Sequence, residues 1–393
     1  MRRTLPTIPI LVGLGSLMPL GMHVVLPALP AMARDLDTSV ATTQWTVTLF
    51  MLAVAFGQLV YGPVSDRYGR LPPLFVGLAV FCAGSLVCAL APSTTVVMIG
   101  RVIAGVGACA GMVLGRAMVR DVYEGSRAVD MLAYVSMALM MVPTMAPIAS
   151  GWLLVWFDWR MPFFVSAAIA LGLTLVCLRL RETHTNRVAL PGFGATLRDF
   201  SRLMRMWNFA APAIVLALPS GGFWAFLSLV APMFRDTFGL PPTDFGYYFA
   251  SLTLTWFIGS FLVTRLTPRL GGDRIALYAV IGSACCGVAL LAVGLSGWRS
   301  AIAVFAPVAL MNTFQAMVVP NLLVRALGAD PRLIGAASGL AGFLQLAIGA
   351  IATFAVGQVY DGTARAGATA LSLMCFAALA ILLAWRRSAR RAA

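Results

Sequence analysis

Of the 393 residues, 60% are apolar and only 11% are charged, where soluble domains carry about 45–50% and about 25%; this composition excludes a soluble globule. The 28 basic residues are all arginine and outnumber 14 acids, for a formal charge of +14. They cluster in short loops between apolar runs, so the excess points to a membrane surface and not to nucleic acid.

Twelve apolar runs of about 20 residues follow one another, each long enough to cross a hydrocarbon core about 30 Å thick at 1.5 Å per residue. The first six lie near 8–30, 44–63, 73–91, 95–116, 131–154 and 161–179; the second six lie near 209–231, 245–264, 275–296, 300–320, 335–357 and 366–385. A polar linker, 180–206, separates them. The pattern predicts an all-α membrane protein of two six-helix bundles, 1–179 and 207–393. The N-terminus, with Arg2 and Arg3 ahead of an apolar run and Ala31–Ala33 as an Ala-x-Ala, looks like a signal peptide. The run from Ile8 to Leu29 is too long for a signal core, so it is expected to remain as the first span.

Arginine counts set the orientation. Only Arg34, Arg160, Arg235, Arg299 and Arg365 fall in the loops of one side, and Arg101 belongs to neither side. Positive loops stay in the cytoplasm, which predicts both termini and the linker inside. The halves also echo each other: Arg67-Tyr68-Gly69-Arg70 returns as Arg269-Leu270-Gly271 at an offset of 202 residues. Such weak internal symmetry is the mark of a transporter with its substrate site between two bundles.

The seven cysteines lie in apolar runs without CxxC spacing and are expected to pack as small hydrophobes. His23 and His184 sit on different elements, so no metal site is expected. With no lysine there is no Walker A motif, and HExxH and paired-carboxylate patterns are absent, so neither a cofactor nor enzymatic chemistry is indicated. A channel would need rings of carbonyls or charges.

Polar groups inside the spans carry the functional reading. Arg101 lies roughly 9 Å inside the fourth span, where its charge costs about 2.5 kcal/mol or more, so it is expected to face a polar cavity, the alternative being a side chain that snorkels to the headgroups. His23 is at a similar height. A histidine there can carry a proton, but burial beside a guanidinium favours the neutral ring, so both roles stand. No Asp or Glu falls deep in any span, which disfavours a cationic substrate. Phe223, Trp224, Phe226, Trp256, Met311, Asn312, Phe314, Gln315 and Gln345 offer adaptable walls with a few amides in the second half.

The densest motif runs from Gly57 to Pro72. Gly62 and Gly69 are expected to allow close backbone approach in a short turn, and Asp66 to cap a helix or pair with Arg67 or Arg70. In the fifth span Pro143 and Pro147, four apart, remove backbone donors ahead of Gly151, which suits a helix that bends.

These motifs resemble the major facilitator superfamily. Gly62, Asp66, Arg67, Gly69 and Arg70 match its loop signature G-x-x-x-D-R-x-G-R, with Leu71 where many members are basic. Arg101, Gly105 and Gly107 are similar to the R-x-x-x-G-x-G signature of drug/proton antiporters. Gly111 to Asp121 and the Pro143–Gly151 segment resemble the bicyclomycin and chloramphenicol resistance branch, with Ser150 where a second Gly is common. Leu26-Pro27-Ala28-Leu29-Pro30 resembles that branch's first-span ending, and His23 stands where an acid is usual.

The resemblance implies a twelve-helix secondary transporter of the bacterial inner membrane, working as a monomer in the lipid bilayer. It would export small, mostly apolar compounds with protons as the coupling ion, and Arg101 without a deep carboxylate makes those compounds neutral or anionic. It also implies that Asp66 latches onto the cytoplasmic end of the eleventh helix, near Gly335–Ser338. A transporter of an endogenous metabolite is the other reading within transport.

Overall fold

The structure, a computed structural model, describes residues 4–123, 131, 134–135, 138–139, 141–184, 193–241, 243–297, 300–330 and 333–392. Its residues divide into two compact units, Met1–Pro191 with Pro242–Gly246, and Gly192–Pro241 with Tyr247–Ala393. Among the described residues, ten helices are long and apolar enough to cross a membrane, and two shorter apolar helices, Val142–Trp156 and Met161–Cys177, stand at the fifth and sixth spans.

In the first unit α1 is Ile8–His23, α2 Leu29–Asp35, α3 Val40–Tyr68, α4 Leu71–Ala89, α5 Thr94–Val122, α6 Val142–Trp156 and α7 Met161–Cys177. The first span, expected as one helix, is broken by a 3-10 turn at Leu26–Ala28. Pro27 and Pro30 supply no N–H, so the α-helical ladder cannot pass through this segment. Helices α3 and α5 run beyond their apolar runs to Tyr68 and Val122. Their polar ends have water to satisfy them, and α3 stops only at Gly69, where φ is 93°.

Helix α5 packs on α1, α3 and α4, and its glycines explain why. A Cβ on Gly105 would lie 2.8 Å from the Phe50 carbonyl of α3. One on Gly107 would collide with the backbone of Phe81 and Gly77 in α4, and one on Gly111 with the Leu14 carbonyl of α1. The signature glycines are therefore the faces on which three helices rest. Gly62 departs from its expected role. It lies within α3, not in a turn, and a Cβ there would meet nothing within 4 Å.

The second unit comprises α8 Phe193–Arg205, α9 Trp207–Met233 with a π turn to Phe238, α10 Asp244–Leu270, α11 Gly272–Ser296, α12 Ala301–Leu327, α13 Ile334–Gln358 and α14 Arg365–Ala392. Helix α9 packs along α13 and α14, and α11 along α12 and α14. The linker, expected as a polar connection, is divided. Leu180 bridges to Thr4 beside α7, and α8 docks on the second unit through Leu203, which packs with Phe209, Ala213, Ala337 and Leu340. Residues 185–192 of the linker lie outside the described set, as do 132–133, 136–137 and 140 of the expected fifth span.

Replacing Gly107 with Leu should force α4 and α5 apart and cost at least about 2 kcal/mol. The unfolding midpoint of the purified protein should fall in that variant and hold in Gly62→Ala; equal midpoints would refute the packing assignment.

Candidate functional site

Arg101 is 2% exposed. Its Nε donates to the Thr46 carbonyl of α3 at 3.0 Å and its Nη1 to the Gly21 carbonyl of α1 at 2.8 Å. The guanidinium carbon lies 3.9 Å from the centre of the Phe50 ring. Gly21 is in the last turn of α1, where carbonyls lack an intrahelical partner, so the arginine fills a vacancy made by the break in the first span. The side chain does not snorkel to the headgroups. Two of its nitrogens are committed to backbone, and Nη2 alone is buried without a hydrogen-bond partner among the described residues.

His23 closes α1 and is 4% exposed. Its Nδ1 lies 2.7 Å from the Pro19 carbonyl. Facing an acceptor, that nitrogen must donate, which fixes the neutral tautomer and makes Nε2 the basic atom. One residue on, the Val24 carbonyl accepts from Ser150 Oγ of α6 at 2.6 Å. Ala28 N–H, which a continuous helix would give to Val24, bonds Val25 instead. Ser150 thus ties α6 to the break, a role only a hydroxyl fills. Pro147 is inside α6, whereas Pro143 sits in its first turn, where no internal hydrogen bond is lost. Gly151 is buried in the same helix.

The signature loop is organised by Arg70, which is 7% exposed. Its Nε and Nη2 fork onto Asp121 of α5 at 2.8 and 3.3 Å. Nη1 meets Asp66 Oδ1 at 2.5 Å and Ser65 Oγ at 2.6 Å. Burial alone would lower the Arg70 pKa, but the bonds from Asp121 and Asp66 outweigh it and raise it, so the cation is secure. Of the two expected roles for Asp66, pairing with a guanidinium is the one observed within this unit. Arg67 is exposed and its guanidinium stacks on Tyr68, 5.3 Å from the ring centre.

The α4 N-terminus is capped by a residue that the sequence reading passed over. Glu182, after α7, accepts from the Arg70 and Leu71 N–H groups at 2.7 and 3.0 Å, and from Thr183 and His184 N–H at 3.0 and 3.1 Å. A Cβ on Gly69 would lie 2.7 Å from this carboxylate, so that position needs glycine both for its backbone and for the space. His184 Nδ1 lies 3.4 Å from Arg70 Nη2 and accepts from it.

In the second unit Asn312 and Gln315, each 8% exposed, lie on α12. Asn312 Nδ2 donates to the Leu252 carbonyl of α10 at 2.6 Å, and Gln315 Nε2 to Ser220 Oγ of α9 at 3.4 Å. Trp224 rests edge-on against Phe223 with ring centres 6.1 Å apart, and Gln345 is half-buried on α13. Two residues expected as cavity walls are packing groups. Phe226 is fully buried against Phe305, and Phe314 fills the space over Gly282 of α11.

The profile of the Major Facilitator Superfamily matches residues 11–353. The chain is 30% identical to the uncharacterised MFS-type transporter YdgK of Bacillus subtilis over 88% of its length and 86% of the relative's. It is 29% identical to the bicyclomycin resistance protein homolog of Haemophilus influenzae over 86% and 85%. Among solved structures, the peptide transporter POT superposes with a TM-score of 0.78 at 14% identity, covering 98% of this chain and 94% of that one.

Glu182→Gln should weaken four backbone contacts at once, lowering stability by about 1–2 kcal/mol. An unfolding midpoint equal to that of the wild type would remove Glu182 as the α4 cap.

Proposed function

This chain belongs to the Major Facilitator Superfamily, and from that membership we propose that it exports small, mostly apolar compounds of the drug class, neutral or anionic, in exchange for protons. It does so by alternating access in a bacterial inner membrane, with the arginine-rich side and both termini in the cytoplasm. The kinship with a bicyclomycin resistance homolog supports the substrate class. Both bundles are in one chain, so a monomer suffices.

One observation carries the charge preference. Arg101 is a cation buried in the first unit with Nη2 unspent. Every described acid of the spanning helices lies at or near a helix end, Asp66 and Asp121 included. A cationic substrate would find no carboxylate and would meet like charge where water does not screen it. Asn312, Gln315, Gln345 and Trp224 supply amides and an aromatic face in the second unit, and Pro147 and Gly151 the bend in α6.

His23 carries the coupling proton on Nε2, since Nδ1 is held by Pro19. Asp66, paired through one oxygen and half exposed, is the carboxylate of a conformational latch. Arg67, Gly69 and Arg70 hold the latch in position.

Proteoliposomes test the reading directly. An imposed pH gradient should drive export of a neutral antibiotic at least about tenfold faster than of a permanent cation of similar size, the like-charge penalty expected in a buried site. Equal rates would reject the charge assignment. In His23→Gln, flux should lose its response to the gradient and keep downhill exchange; an unaltered gradient response would take His23 out of coupling.

A further inference from the structure

Helix α8 has more apolar surface than its groove covers. Leu203 is fully buried and Phe200 packs beside it. Leu197 and Met204, seven residues apart and so on one line of the helix next to Phe200, are 57% and 38% exposed. About 100° further round, again seven apart, come Arg198 and Arg205, both exposed. Arg202 between them is held by Asp330 at 2.9 Å.

The patch continues onto neighbouring helices. Trp207, 45% exposed, donates from Nε1 to Ser388 Oγ of α14 at 3.1 Å. Trp385 donates likewise to Asn208 Oδ1 at 3.2 Å. Arg387, beside Ser388, is exposed. Arg386 is turned to the Asp273 carbonyl. Arg198, Arg205 and Arg387 form no ion pair among the described residues.

We propose that this face of the second unit, the outer side of α8 with Trp207 and the end of α14, is a binding site for anionic phospholipid of the arginine-rich leaflet. Leu197, Met204 and the Trp207 ring enter among the acyl chains at the headgroup boundary, and Arg198, Arg205 and Arg387 hold the phosphates. An apolar strip beside a cationic strip on one helix is what an interfacial helix presents to such a membrane, and the tryptophan opens the apolar helix Trp207–Phe238, the end of a span where aromatic side chains are enriched. A protein partner would cover the strip with its own side chains, whereas this surface joins directly to spans already in lipid.

The full-length protein is reconstituted in phosphatidylcholine vesicles holding about one third phosphatidylglycerol, with bromine on the chains of one lipid or the other. The difference between wild type and Trp207→Phe isolates the Trp207 emission. Brominated phosphatidylglycerol should quench that emission at least about threefold more than brominated phosphatidylcholine at the same fraction, since each arginine near the surface strengthens attraction about fivefold. The preference should vanish in Arg198→Gln/Arg205→Gln/Arg387→Gln with the unfolding midpoint retained, and in wild type at about 0.5 M salt. Equal quenching by the two lipids, a preference that survives high salt, or no quenching of Trp207 would overturn the site. Loss of the preference on adding inorganic phosphate at constant ionic strength would assign it to a free anion instead.

Discussion

Inside a bilayer every polar group has to be met by protein, and in the first unit that constraint falls on one guanidinium and one broken helix together. Proline at 27 and 30 stops the first span and leaves carbonyls without helical donors. Arg101 donates to Gly21, and Ser150 donates to Val24. Each group alone would be expensive, the arginine by at least about 2.5 kcal/mol and an open carbonyl by several. Together they join α1, α3, α5 and α6 around a single point. The glycine faces of α5 follow from the same need, because an arginine can reach carbonyls on two helices only if the backbones lie close. His23, at the edge of the break, is placed where any change in the first span is felt by both Arg101 and Ser150.

The succession of twelve spans was legible because burial in lipid leaves few choices: a run of apolar residues without charges has to be a helix. Arg101 was legible as a residue out of place, and Arg70 as part of the densest motif. What they bind was not. Carbonyls leave no trace in a sequence, so Gly21 and Thr46 could not be picked out from their neighbours, and Ser150 read as a variation on glycine when its hydroxyl is the point of the site. Glu182 was hidden because its partner is 112 residues away and its own surroundings read as a solvated linker. The break at Leu26–Ala28 was written in two prolines, yet the apolar run around them is unbroken, and hydropathy does not register a missing N–H. Phe226 and Phe314 show the opposite error, in which an aromatic residue suggests a pocket wall while its ring is spent on packing.

The two halves solve one mechanical problem with opposite charges. In the second unit Asp273 lies in the first turn of α11 and pairs with Arg325 in the last turn of α12, each sign agreeing with its helix dipole. That pair is about half exposed at both ends, the setting in which an ion pair contributes roughly 0–1 kcal/mol. In the first unit the signs are reversed. Arg70 stands at the N-terminus of α4 and Asp121 at the C-terminus of α5, both against their dipoles, and the pair is 8% and 16% exposed. An arrangement of that sign holds only with a further acid, and Glu182 is that acid, reaching the α4 N–H groups that Arg70 cannot satisfy. Breaking a buried pair costs about 3–5 kcal/mol, so the first unit keeps its signature loop closed through two carboxylates on one cation and a third on the backbone beside it, whereas the second unit carries a surface pair. The unequal investment places the rigid joint in the first half. Asp66 is the member of that joint whose carboxylate is still half exposed, and so it is the one that contributes least to holding the joint closed.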